Sequence, residues 1–433
     1  MILTIILSVF ALSLMMICIL KFPTFKIKNI EFETFYIPLL IVAIILLIFP
    51  IFDKKELFDI LFSNSKLNPI KILALVISIS FISISLDEAG FFSFIAIKFI
   101  NRFKNSQIML FISLYILISI LTIFTSNDIV ILTFTPFILY FSKRGNISPI
   151  PFLVMEFVAA NTYSMLLPIG NPTNIYLSSI YKLSFIKYVK HMIIPTILTG
   201  ITSFTVIFLL FRKELKKDIQ VFDDHNVFLK NKFLCIVSII HLILTTILLV
   251  ISNYINLEMW IIALSFGISL LIFIIIYSII KKNSLYVKSP VRRLPYTLIP
   301  FILSMFIIIM ALKSYDFFDN IYKLFNKIDN NKLKEITYLS SSTLSCNIVN
   351  NIPMTIAYGS ILENETNISY IYATIIGSNL GAILTPVGAL AGIMWIKILK
   401  QNNIKYSFFN FIKNGLIITL SIIIVLSVYI LIF

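Results

Sequence analysis

Long apolar runs alternate with short polar ones from end to end of this chain. Runs near 2–20, 35–52, 70–86, 191–211, 233–253, 256–280, 294–312 and 414–433 carry few or no charges. Each is close to the roughly 20 residues an α-helix needs to cross a bilayer core. Four further apolar regions, 107–142, 152–186, 336–362 and 368–399, are interrupted mid-segment by polar residues. The pattern predicts an all-α integral membrane protein in which some helices cross and others break. Backbone leaves helical form at membrane depth only where protein or water satisfies its N–H and C=O groups. The four interruptions are therefore the places to look for chemistry, most simply as the lining of one cavity.

The interruptions pair up. "NTYSMLLPIGNPTN" (161–174) lies on "NLGAILTPVGALAG" (379–392) without a gap, setting Asn161 on Asn379, Pro168 on Pro386 and Gly170 on Gly388. Upstream, "TSNDIV" (125–130) sits above "IVNNIP" (348–353). This predicts two repeats, 1–211 and 233–433, joined by a connector at 212–232. Each repeat holds about five transmembrane helices plus a re-entrant hairpin (107–142 or 336–362) and a broken helix (152–186 or 368–399). An odd number of crossings per repeat makes the topology inverted, with the site at the repeat interface near the midplane.

Composition agrees: of 433 residues, 59% are hydrophobic and 13% charged, and the mean hydropathy is +0.99. A soluble chain does not hide that much apolar surface. The net charge of +15 does not point to nucleic acid, because the basic residues sit in short clusters between apolar runs. With the hairpins returning to the side they left, those clusters sort roughly two to one, and the richer side is expected to be cytoplasmic. That places the connector inside the cell, both termini outside, and the chain in the plasma (inner) membrane. The first 20 residues lack a basic n-region and a small-residue cleavage site, so they read as a first span. The three cysteines are far apart and form no CxxC pair.

The first tip, "FTSNDIVILTFTP", sets Thr125, Ser126, Asn127 and Asp128 before an apolar run, residue types that cap helices. Asp128 is the one carboxylate in the four breaks. It either carries a proton or cation coupled to transport, or serves as a charged cap at the positive end of a helix. At the second tip Asn350 or Asn351 can cap, and Pro353 suits a first turn. The first broken helix is marked by Asn161, Pro168, Gly170, Asn171, Pro172, Thr173 and Asn174, and the second by Ser378, Asn379, Gly381, Thr385, Pro386 and Gly388. Of the chain's 11 glycines, four fall within 377–392, where close backbone approach is then expected. Half-helix N-termini and free amides suit an anion or neutral oxyacid. Glu156 reads as a proton relay or as a satisfied structural carboxylate, and His241 as a hydrogen-bonded helix packer. There is no GxxxxGK[ST], HExxH or GxSxG motif. No basic residue lies in any break, which counts against bulky multivalent anions.

These motifs resemble the ion transporter superfamily of arsenite permeases, citrate-permease-like proteins and divalent anion–sodium symporters. "SNDIVILTFTP" and "NIVNNIPM" look like the two arsenite-permease tips. "GSNLGAILTPVGALAGIMW" is similar to that family's Asn-Leu-Gly…Thr-Pro-x-Gly-x-Leu-Ala run, and "LPIGNPTNIYLS" to a Gly-Asn-Pro-x-Asn run in permeases of the group. The resemblance implies a two-repeat anion permease that binds through Asn127, Asp128, Asn171, Thr173, Asn174, Asn350, Asn351, Asn379 and Thr385. Sodium–dicarboxylate members read Ser-Asn-Thr at both tips. Here the tips read Ser-Asn-Asp and Val-Asn-Asn, which resembles the arsenite side.

The sequence thus predicts a secondary active transporter of a small anion or oxyacid, arsenite- or antimonite-permease-like, coupled to protons or Na⁺. The alternative is a di- or tricarboxylate or other divalent anion–sodium symporter. A channel, a membrane subunit of an ATPase-powered pump and an intramembrane enzyme are remote. No cofactor is expected beyond H⁺ or Na⁺ and no metal site beyond sodium. The expected partners are the anion and the bilayer, with a homodimer and a separate ATPase subunit left open.

Overall fold

The computed structural model describes residues 2–22, 24–27, 30–48, 68–103, 106–220, 229–252, 254–363 and 365–433. Among them are nineteen α-helices. The protein is an all-α membrane protein with one exception, an antiparallel ribbon of β1 (Thr24–Ile27) and β2 (Ile30–Glu33) that pairs Phe25 with Phe32. Seven helices are long and apolar enough to cross a membrane. Leu298–Lys313 and Phe317–Phe325, bent by 76°, make an eighth if taken together.

Each of the eight expected spans carries a helix: α1 (Ile2–Lys21), α2 (Ile37–Ile48), α3 (Pro69–Glu88), α9 (Phe185–Leu215), α10 (Lys232–Ile251), α11 (Met259–Ile280), α13 (Leu298–Lys313) and α19 (Phe408–Ile432). Their starts have local causes. Asn68 accepts from the N–H groups of Ile70 (3.0 Å) and Lys71 (3.1 Å), and Pro69 fills the first turn. Ser184, Asn231 and Ser407 cap α9, α10 and α19 in the same way. The end of the 35–52 segment and residues 221–228 of the connector lie outside the described residues. Helix α9 starts earlier and ends later than its apolar run, reaching Leu215 inside the expected connector. Three short helices lie outside every expected span and break: α4 (Phe91–Phe103), α12 (Leu285–Arg292) and α14 (Phe317–Phe325).

The interrupted regions each become two helices. The first hairpin is α5 (Gln107–Phe124) and α6 (Asn127–Arg144). The first broken helix is α7 (Ile150–Tyr163), a 3-10 turn at Pro168–Gly170, and α8 (Pro172–Ile180). After α14 (Phe317–Phe325), the second hairpin is α15 (Asn331–Val349) and α16 (Asn351–Ile361). The second broken helix is α17 (Ile368–Leu384), a 3-10 turn at Pro386–Gly388, and α18 (Leu390–Gln401). The same succession of elements therefore occurs twice, each time followed by a long helix. Taken alone, α5 is long and apolar enough to cross.

Helices α15 and α17 pack along most of their lengths, where Ser342, Cys346, Gly377 and Gly381 bring two backbones close. The matching pair α5 and α7 meets through larger groups, with the rings of Phe111 and Phe152 6.0 Å apart. At one end of α3, Asp87 and Glu88 both pair with Arg293, at 2.7 and 2.6 Å. His241 contacts Val237 O at 2.8 Å and Ser269 Oγ at 3.2 Å, so its ring nitrogens bind two helices together.

Candidate functional site

The two broken helices share a geometry. Before each 3-10 turn the chain is extended, at Leu167 (φ −112°) and Thr385 (φ −139°). After it the chain is extended again, at Asn171 and Ala389, both at φ −149°. A Cβ on Gly170 would collide with the carbonyl oxygen of Ser164, and one on Gly388 with that of Gly381. The matched glycines thus do the same work, letting the turn fold back on its own helix.

The caps that follow differ. Asn171 accepts from Thr173 N at 3.2 Å, whereas Ala389 has no side chain to offer. The hydrogen bonds of the first break reach into the second broken helix. Asn171 Nδ2 donates to Asn379 Oδ1 (3.0 Å), Asn379 Nδ2 donates to Asn174 Oδ1 (2.8 Å), and Ser164 Oγ donates to Asn379 Oδ1 (3.1 Å). Thr173 Oγ1 meets Ser378 Oγ at 3.0 Å. Asn171, Thr173, Asn174, Ser378 and Asn379 are all buried. Four of the candidate binding residues are therefore brought together, but as partners of one another across the two broken helices.

Nearby, Asn127 Nδ2 donates to Asn161 Oδ1 at 3.0 Å. The Oδ1 of Asn127 is buried with no hydrogen-bond partner among the described residues. The second tip forms a separate group. Asn350, at φ +75°, holds a conformation costly for any residue but glycine. It is pinned by Nδ2 donating to Val387 O (2.9 Å) and by its amide accepting from Ile352 N (3.4 Å). Thr385 Oγ1 donates to Asn347 Oδ1 at 2.6 Å. Asn351 is buried, its carbonyl accepting from Thr355 Oγ1 at 2.6 Å, and Pro353 sits in the first turn of α16.

The first tip departs from expectation in detail. Ser126 stands at the N-cap of α6 without a side-chain cap bond, and Thr125 Oγ1 donates back to Leu121 O (2.7 Å). Asp128, in the first turn, faces a cavity of about 830 Å³. Ser126, Ile129 and Leu132 of the hairpin and Pro172 of the first broken helix also line it. So do Arg292, Arg293 and Lys397. These three lie outside the breaks and carry no local signal of their place. Arg293 is held by the Asp87–Glu88 pair. Glu33, another lining carboxylate, accepts from Thr297 Oγ1 at 2.7 Å.

Glu156 is fully buried elsewhere, with both carboxylate oxygens 3.0 and 3.1 Å from Thr135 Oγ1 and the Trp395 indole beside it. The 830 Å³ cavity does not reach it. Of the residues that complete the central network, Asn161 and Ser378 stand out as polar in their runs, while Ser164 does not.

A family model described as citrate transporter matches residues 1–365. The chain is 25% identical over 376 residues to an arsenical pump membrane protein of Escherichia coli, covering 81% of this chain and 84% of the relative. It is 25% identical over 369 residues to an arsenical pump membrane protein of Yersinia enterocolitica, with the same 81% and 84% coverage. A 46 kDa membrane protein of Mycobacterium leprae (strain TN) is 22% identical over 404 residues, 89% of this chain and 91% of the relative.

Proposed function

The chain belongs to the citrate transporter family, and from that membership we propose that it is a secondary active permease for a small anion or oxyacid. Arsenite and antimonite are the first cargo to test, and protons or sodium the coupling ion. One observation carries the reading: both the first hairpin tip and the first broken helix open on one cavity whose wall also holds Arg292, Arg293 and Lys397. Arg293 is neutralised by Asp87 and Glu88, so Arg292 and Lys397 are the cations of that wall that draw anions. The N-terminus of α6, where Ser126 makes no side-chain cap bond, adds backbone N–H groups suited to oxygen ligands. Asp128 accepts no hydrogen bond in any described contact and stands in that cavity, which suits a group that takes up and releases a proton or cation.

The repeated order of elements supports two inverted repeats with the central asparagine network at their interface. We place the connector in the cytoplasm, both termini outside and the protein in the plasma membrane. On this reading Asn171, Asn174 and Asn379 lock the repeats together at rest, and Asn127, Asp128 and the α6 N-terminus meet the cargo.

The same cavity gives a second reading, a di- or tricarboxylate–sodium symporter. Its cationic wall and its volume suit a multivalent organic anion better than the four breaks alone do. A screen of thermal stabilisation separates the two, using arsenite, antimonite, citrate, succinate and sulfate with Na⁺ or Li⁺ across pH. A ligand at 100 times its Kd stabilises by about 2.7 kcal/mol. Proteoliposomes holding this chain alone then test the mechanism. Gradient-driven accumulation is expected. Conductance that only follows the gradient indicates a channel, and inert vesicles a missing ATPase subunit.

A further inference from the structure

Three spaces lie in line along α3 and α8. The 830 Å³ cavity touches α3 at Val76, Ser80 and Ile84, and α8 at its first residue, Pro172. A second cavity, of about 280 Å³, touches α3 at its other end, Lys71 and Ile72, and α8 near its other end, Ser178 and Ser179. Between them is a gap of about 10 Å³ bounded by Ile72, Pro172, Tyr176, Ile302, Ile352 and Ile356. Pro172 belongs to the gap and to the larger cavity, Ile72 to the gap and to the smaller. Ile72 and Val76 are one helical turn apart, so only about 6 Å of α3 separates the two cavities.

The gap is apolar apart from three hydroxyls. Those of Thr173 and Thr355 are paired, with Ser378 Oγ at 3.0 Å and Asn351 O at 2.6 Å. That of Tyr176 is not. The residue is 4% exposed, and its hydroxyl is buried with no hydrogen-bond partner among the described residues. Native structures seldom leave such a group unpaired without a use for it. Both cavities beyond the gap carry charge. Arg292 lines the larger. Lys71, Lys182 and Glu258 line the smaller, where Lys71 holds Glu258 at 2.8 Å and its carboxyl below the usual range.

We infer that the two cavities are the two ends of one permeation route, closed in this state at Ile72, Tyr176, Ile302 and Ile352, and that the Tyr176 hydroxyl is a hydrogen-bond ligand for an oxygen-bearing anion or oxyacid crossing that closure. The inference rests on the permease reading and adds a route and a specificity residue to it. Tyr176 selects for cargo with an acceptor oxygen. Its ring, wedged against Gly359, is the body of the gate.

The test uses the full chain in sealed vesicles, with Cys18, Cys235 and Cys346 replaced by serine. Sulfonatoethyl methanethiosulfonate, a thiol reagent that does not cross membranes, is applied from either face. Ser80→Cys and Ser179→Cys put one thiol in each cavity, and they are expected to react from opposite faces. Reaction of both from the same face overturns the route, and that result needs no cargo. Tyr176→Phe keeps the ring and removes the hydroxyl. Its labelling pattern is expected to match the parent's while arsenite flux falls roughly five- to tenfold. Unchanged flux overturns the role of the hydroxyl. If the parent moves none of the anions in the ligand screen, the permease reading fails, and the two-sided labelling still decides whether the cavities face opposite sides.

Discussion

Asn171 donates to Asn379 at 3.0 Å, a hydrogen bond between residues 208 positions apart that ties the first break to α17, the helix before the second break. Asn379 is the hub of this contact, since Asn174 and Ser164 also bond to it at 2.8 and 3.1 Å. Asn379→Ala leaves Asn171 Nδ2 without its partner, at about 1–3 kcal/mol, and Asn174 Oδ1 and Ser164 Oγ with only Thr173 Oγ1 (3.4 Å) and Asn161 O (3.0 Å). We expect a loss of roughly 2–5 kcal/mol in detergent-solubilised stability, read as a large drop in melting temperature. A melting temperature within a degree or two of the parent's would show that these amides are not a lock between repeats.

Asp128 presents the opposite case. Its carboxylate is half-buried, faces the large cavity and takes part in no described hydrogen bond. Asp128→Asn removes charge and keeps shape, so its effect on stability should stay within about 1 kcal/mol. Coupled flux in proteoliposomes should be lost, because a neutral amide neither takes up a proton nor pairs with a cation. Transport that matches the parent across pH would remove Asp128 from the coupling role.

Gly170 and Gly388 make a matched pair. In each, a side chain would strike a backbone carbonyl of its own broken helix, that of Ser164 or of Gly381. Backbone yields less readily than a flexible side chain, so Gly170→Ala and Gly388→Ala should each cost about 1–3 kcal/mol. Similar losses in the two variants, measured by thermal melting, would support equivalent turns. Tolerance at one position alone would mean that the repeats have diverged there.

Much of the fold was legible because membrane helices advertise themselves by length and apolarity, and breaks by proline, glycine and amides. Thr125–Asp128, Pro168–Asn174, Asn350 and Thr385–Gly388 all stand at breaks in the structure. Local signals did not extend to partners. Arg292 and Lys397 sit outside every break, and only the packing of α12 on α3 and of α18 on α6 brings them to the cavity that Asp128 faces. Tyr176 reads as an ordinary aromatic in an apolar run, and its unpaired hydroxyl is visible only once α3, α13 and α16 close around it. The amides were legible as polar and not as mutually satisfied. Whether an asparagine faces cargo or another asparagine depends on a residue some 200 positions away. Helix α4 carries no such signal, because thirteen residues rich in phenylalanine, with Lys98 and Arg102 toward the end, match neither a full span nor a break.

Glu156 separates a coupling role from a packing one. Its carboxyl is fully buried, bonds to Thr135 Oγ1 at 3.0 and 3.1 Å, and lies outside the cavity that holds Asp128. A group that exchanges protons with either side of the membrane needs a path for them, and no lining residue of either large cavity is Glu156. Glu156→Gln has nearly the same shape and keeps an oxygen to accept from Thr135. We expect flux within about twofold of the parent, and Thr135→Val in the same background should change stability by less than about 1.5 kcal/mol, since it removes a single hydrogen bond. Glu156→Ala instead opens a cavity between Thr135 and Trp395 and should cost about 2–4 kcal/mol. If Glu156→Gln abolishes pH-dependent uptake while melting like the parent, Glu156 belongs to the coupling pathway. A proton route from the 830 Å³ cavity to Thr135 would then have to open during the transport cycle.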